Sequence, residues 1–172
     1  MKKLFFPFAI AFLLFSGFSP AQLKIGYVDS KTILDRLPDA QDARQKLDAF
    51  IRNWKDELSK MQANLTSKKD DFERRKLIMT EQTRKEATDE IENLQKEIDN
   101  FRNKKFGERG ELYQKQDELM KPIQNKVFTV IKEIALEEDL DFVFDRSSDV
   151  TLLYAKDEYD ITASVMEKLK LN

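Results

Sequence analysis

The chain has 172 residues, with 30 lysines and arginines against 32 acids, and it contains no histidine and no cysteine. Disulfides, thiolate nucleophiles, imidazole bases and structural zinc sites are thereby excluded. The acidic balance and the scarcity of glycine exclude a general nucleic-acid binder and a glycine-rich phosphate loop, so neither enzymatic activity nor a cofactor is expected.

Lys2 and Lys3 precede an apolar run from Leu4 to Phe18 and the small-residue stretch Ser19-Pro20-Ala21. This pattern predicts a cleavable secretory signal peptide over residues 1–21, cut ahead of Gln22. The run is short for a membrane span, and no cysteine follows it to carry a lipoprotein anchor. Removing Lys2 and Lys3 leaves 28 basic residues against 32 acids, a net charge of −4. An exported soluble protein is expected.

Next comes "KIGYVDS", in which Ile25 and Tyr27 alternate with Gly26 and Val28 as in a short strand. Asp29 or Ser30 is placed to cap a brief helix through Ile33, Leu34 and Leu37, which must stop before Pro38. From Asp39 the spacing turns heptad. Ala40, Leu47, Trp54 and Met61 form one column; Ile51, Leu58, Leu65, Phe72 and Met79 form the other. A second seam follows Thr80 through Ala87, Ile91, Leu94, Ile98 and Phe101, weakens at Lys105 and Glu108, and returns at Leu112 and Leu119.

With no turn-rich linker between them, the two seams predict an antiparallel pair of helices turning at Thr80, a good N-cap. Centring the turn there makes residue i face residue 160 − i, which sets Pro38 level with Pro122 at the base of the pair. Pro122 is expected to interrupt and kink the returning helix. The same rule sets Gly107 and Gly110 opposite Asn53 and Phe50. They are expected to make room for Phe50 and Trp54, with a hinge as the second reading.

Beyond Pro122 the apolar pattern strengthens through Ile123, Val127, Val130, Ile131 and Ile134. Phe142–Phe144 reads as a buried strand and Val150–Ala155 as a further one. A last helix after Asp160 presents Ile161, Val165 and Leu169. Three short strands make a poor core alone, and oligomerisation is a usual remedy.

The stretches "KIGYVDSKTILDRLP", "MKPIQNKVFTVIKEIALEEDLDFVFD" and "LLYAKDEYDITASVMEKLK", in this order around a charged helical hairpin, resemble the Skp/OmpH family of periplasmic chaperones over residues 23–171. The resemblance implies an α+β fold dominated by α. A long antiparallel helical hairpin, a coiled-coil tentacle, projects from a small β-containing trimerisation body. Residues 22–38 and 122–172 then form the body, and 39–121 the arm, with its tip near 77–81. It also implies a homotrimeric, ATP-independent periplasmic holdase that keeps unfolded outer-membrane proteins in a cavity between the arms. The alternative is an exported structural or adaptor coiled coil of the cell envelope.

Leu77, Ile78 and Met79 lie side by side where helix periodicity would separate them, flanked by Arg74, Arg75 and Lys76. These six are the expected client-contact residues, against a packing role in which Met79 ends the seam while Leu77 and Ile78 cover the turn. Residues 66–86 carry seven basic and five acidic side chains, +2, whereas 136–172 carry four and ten, −6. Transient contact of the tip with an anionic membrane surface is therefore also expected. Gly107, Gly110 and Pro122 are the expected hinge or kink positions. Glu137, Glu138, Asp139 and Asp141 lack the spacing of a calcium loop and read as a solvated helix end.

Overall fold

The structure, a computed structural model, describes residues 23–147 and 152–171. The expected signal peptide at 1–21 lies outside these residues, as do Val150 and Thr151 of the expected last strand. The elements in chain order are β1 (Ile25–Val28), α1 (Ser30–Arg36), α2 (Pro38–Arg75), α3 (Glu81–Phe106), α4 (Glu111–Glu137) and β2 (Phe142–Asp145). A 3-10 turn (Asp157–Tyr159) and α5 (Thr162–Lys168) complete them.

One neighbouring and one distant carboxylate close the start of α1. Asp29 Oδ1 accepts the Thr32 N–H at 2.8 Å. Asp145 Oδ1 accepts the Ser30 N–H at 3.2 Å, and Ser30 Oγ donates to Asp145 Oδ2 at 2.5 Å. Both carboxylates satisfy donors that a helix start leaves open. Leu37 is extended (φ −76°, ψ 118°), as a residue before proline must be. Pro38 then opens α2, where its missing N–H costs nothing.

β1 and β2 pair in parallel, with Ile25 opposite Phe142 and Tyr27 opposite Phe144. Parallel neighbours need a long crossover, and here the entire arm serves as one. The inner face of the sheet, with Val28 and Val143, packs on Ile33, Leu37, Ala40, Val127, Ile134, Ile161 and Val165. This cluster joins the sheet, both ends of the arm and α5 into one core. Gly26 lets it close, since a Cβ there would stand 2.7 Å from Leu140 Cδ1.

Beyond the core, α2 and α3 run antiparallel. Lys68 Nζ meets Glu90 Oε1 at 2.6 Å, and the Trp54 ring meets Phe106 edge-on at 6.0 Å. These pairs sum to 158 and 160, as a turn at Thr80 requires. Thr80 caps α3, its hydroxyl accepting the Thr83 N–H at 3.3 Å.

Five sequence expectations are corrected. The returning helix breaks at residues 107–110, and α4 then runs uninterrupted through Pro122. The chain absorbs its discontinuity where two glycines allow a tight turn, so Pro122 only removes one N–H from an otherwise continuous helix. Looping out the turn also shifts the facing register. Lys126 pairs with Asp39 at 3.0 Å, a sum of 165, so Pro122 does not lie level with Pro38.

Third, β2 is not buried. Val143 faces the core while Phe142 and Phe144 face out, as the two-residue period of a strand dictates. Fourth, residues 152–155 form no strand. The free edge of β1 is taken instead by Asp160, bridged to Tyr27, with the Ile161 N–H donating to Tyr27 O at 3.0 Å.

Fifth, the glycines of the break face their own backbone rather than Phe50 or Trp54. A Cβ on Gly107 would fall 2.3 Å from Asn103 O, and one on Gly110 would fall 2.9 Å from three backbone atoms of residues 104–107. Backbone cannot step aside as a side-chain tip can. Gly107→Ala should therefore cost about 1–3 kcal/mol in denaturant unfolding, and Gly26→Ala, which meets only the end of Leu140, distinctly less.

The body also has an acid limb. Burial pushes the Asp145 carboxyl up, but hydrogen bonds from Ser30 and Ser147 outweigh it and hold the group below its ordinary value of 3.8. A carboxylate depressed in the folded state stabilises above its unfolded value and loses that contribution as pH falls through the folded one. Thermal stability should decline below about pH 4, and Asp145→Asn should flatten that decline in melts recorded across the range.

Candidate functional site

Among the described residues two apolar surfaces stand uncovered, one at the tip of the arm and one on the body. At the tip α2 ends with Arg75, and residues 76–79 turn the chain. The turn is held without its apolar side chains. The Lys76 N–H donates to Phe72 O at 2.8 Å, the Ile78 N–H to Arg75 O at 3.0 Å, and Arg84 Nη2 to Lys76 O at 3.1 Å. Backbone and arginine thus do the closing, and Leu77 and Ile78 stand out 89% and 84% exposed. Met79 is half-buried at the end of the seam.

The six tip residues are brought together, and their cations are already engaged. Arg75 Nη1 lies 3.0 Å and Arg74 Nη2 3.9 Å from Asp71, while Lys76 pairs with Glu73. These pairs blunt the positive field that the +2 of residues 66–86 suggests.

Gly107 and Gly110 share one turn, in which the Gly110 N–H donates to Gly107 O at 2.8 Å. Pro122 stands apart from them, exposed on α4. Between tip and base the seam is thinly covered. Trp54, Leu65 and Ile98 are buried, but Leu58, Met61, Phe72, Ile91 and Leu94 are only half so.

The second surface lies on the body. Ile25, Phe142 and Phe144 on the outer face of the sheet are joined by Leu23, Leu152 and Tyr159. Beside them Leu153 and Tyr154 are 92% and 82% exposed. A cavity of about 730 Å³ opens here, lined by Leu23, Ile25, Tyr27, Phe144, Leu152 and Tyr154. Sequence reasoning missed this face by taking Phe142–Phe144 as buried. The signal was there, since Phe142 and Phe144 alternate with Val143 and cannot all face one core.

Acids at the end of α4 and just beyond it pair within the body. Glu137 pairs with Lys168 at 2.6 Å and Asp139 with Lys24 at 2.9 Å, while Asp141 Oδ2 accepts the Lys24 N–H at 2.8 Å. Among the described residues no group of acids is arranged to hold a metal ion, and no helix is long and apolar enough to cross a membrane.

Fold and surfaces define a class of protein: a long helical hairpin on a small parallel-sheet body, offering extended half-apolar surface. A family model described as outer membrane protein (OmpH-like) matches residues 24–169. The chain belongs to this OmpH-like family. The Chaperone protein Skp of Photorhabdus luminescens is 28% identical over a 177-residue alignment covering 99% of this chain and 100% of that protein. The Chaperone protein Skp of Vibrio cholerae serotype O1 is likewise 28% identical, over 159 residues, 87% of this chain and 85% of its own. A crystal structure of an OmpH-like protein from Caulobacter crescentus superposes with a TM-score of 0.69 over 87% of this chain and 85% of that one. At 13% identity that likeness shows the fold. Family membership supports a chaperone role.

Burial distinguishes the seam from the tip. Replacing Leu77 and Ile78 by Ser and Gln should change unfolding free energy by no more than about 0.5 kcal/mol. Leu65→Ala should cost about 2 kcal/mol or more in the same denaturant titration.

Proposed function

We propose that the chain is an ATP-independent, non-enzymatic holdase of the periplasm whose clients are unfolded outer-membrane proteins. The observation that carries this reading is the uncovered apolar surface of the arm. Helix α2 alone is 38 residues, about 57 Å long, and its seam stays half-buried up to an exposed Leu77-Ile78 pair. An unfolded β-barrel chain presents alternating apolar residues along its length. Many shallow contacts along such an arm hold it without selecting one sequence, and Met61 and Met79 add adaptable surface.

The body supplies the second half of the proposal. Its outer sheet face and the exposed Leu153-Tyr154 are apolar and contiguous with the 730 Å³ cavity, the composition of an obligate interface. A homotrimer joined through this face would set three hairpins around a common space, so that a client is held by several arms at once and binding gains from multiplicity. The expected contact of the tip with an anionic membrane surface fits this placement as a transient one, since Asp71 and Glu73 already share its charge.

The test dilutes a urea-unfolded outer-membrane β-barrel into buffer without nucleotide and follows aggregation by light scattering. The chain should suppress aggregation at one trimer per client, and the same sample should elute with three times the single-chain mass. Exchanging Leu77, Ile78 and Met79 for Ser, Gln and Gln should weaken the suppression with little change in thermal stability. No suppression by a well-folded trimer would favour the adaptor coiled coil, and a monomer would remove the shared space on which the mechanism depends.

A further inference from the structure

From base to tip the outgoing side of the arm is one continuous helix, while the returning side is two. The helical ladder stops with the Gly107 N–H on Asn103 O and resumes with the Gln114 N–H on Gly110 O. Much of the bending stiffness of a two-helix rod comes from its paired backbones, so compliance concentrates where one of them is interrupted.

The structure sets an ion pair across this interruption. Lys105 Nζ, in the last turn of α3, lies 2.5 Å from Glu111 Oε2, in the first turn of α4, and Lys104 Nζ lies 3.8 Å from Glu111 Oε1. With the two side chains 17% and 30% exposed, the Lys105–Glu111 pair is the most enclosed ion pair among the described residues. Lysine at a helix end and glutamate at a helix start are each favoured by the helix dipole, so both partners are held where they stand. The hydrogen bond from Lys105 keeps the Glu111 carboxyl below its ordinary value.

The third helix is joined at the same point. Lys105 Nζ stands 4.9 Å above the Trp54 ring of α2, which stacks on Phe50 at 5.8 Å and meets Phe106 edge-on. One ammonium group therefore belongs to α3, pairs with α4 and rests on α2. Neither the body core nor the tip takes part.

We propose that Lys105 and Glu111 form a strap across the break in the returning helix. Closed, it holds the distal arm in line with the base; released, it lets the distal arm swing about the Trp54 level of α2. This assigns the joint to Gly107–Gly110 and not to Pro122, and it holds whatever the arm carries.

The absence of cysteine makes the test clean. Spin labels on Ser67→Cys, in distal α2, and Gln124→Cys, in basal α4, report the distance across the joint. Labelled chains are diluted with unlabelled ones so that each assembly carries one labelled arm. Glu111→Gln and Lys105→Met should broaden the distance distribution and shift its maximum. Lys105→Arg, which keeps the pair, should restore it, and Lys85→Met, which cuts only the exposed Lys85–Asp89 pair, should leave it unchanged. Amides 103–114 should exchange about threefold faster in Glu111→Gln, the scale of a partly screened ion pair. Superimposable distributions for Glu111→Gln and the native chain would overturn the strap. Equal broadening by Lys85→Met would also overturn it, by showing that compliance is not localised there.

Discussion

Two antiparallel helices share one line of contact, and each keeps most of its circumference in water. A core helix buries a stripe wide enough to enclose its apolar residues, but a lone pair has nothing to pack on the flanks of its seam. In this arm only a few side chains, Trp54, Leu65 and Ile98 among them, are enclosed, while others of the same heptad columns stay half-exposed. The incomplete burial is a property of the architecture. It makes the arm depend on its base for order and leaves a strip of apolar surface along its whole length.

The body meets the same constraint in a different geometry. A two-stranded sheet can turn one face to α1, α4 and α5, and Val28 and Val143 do so. Among the described residues its other face is covered only at Tyr27, which leaves Ile25, Phe142 and Phe144 exposed. The two uncovered surfaces differ in kind. The arm's is narrow, interrupted by charge and half shared with its own seam. The body's is aromatic, contiguous and hollowed. The crossover between β1 and β2 ties them together, since the arm cannot leave the body without breaking the core around Leu37, Ala40 and Val127.

Charge tunes this frame without building it. Most of the arm's ion pairs join residues three or four apart on one helix and are exposed, so each adds little stability. Their larger effect is local neutrality: Asp71 and Glu73 hold the cations that would make the tip a strong anion site. Lys105 and Glu111 differ because they lie between helices and are more enclosed.

The sequence by itself determined the elements that depend on neighbours close along the chain. The heptad columns to Met79, the Thr80 cap, the stop before Pro38 and the Ile161–Val165 face of α5 were all legible, because capping and periodicity act within a few residues. The level of the break was legible only in part. Gly107 and Gly110 marked it, but the turn they allow consumes residues without advancing the helix, so the 160 − i rule failed past it. Only the tertiary structure decided what each face of an element meets. It turned Phe142 and Phe144 outward, gave the edge of β1 to Asp160, left Leu77 and Ile78 bare and seated Lys105 on Trp54. Those outcomes depend on which layer lies opposite, and in a chain with too few layers for its apolar faces, pattern alone does not say which face goes uncovered.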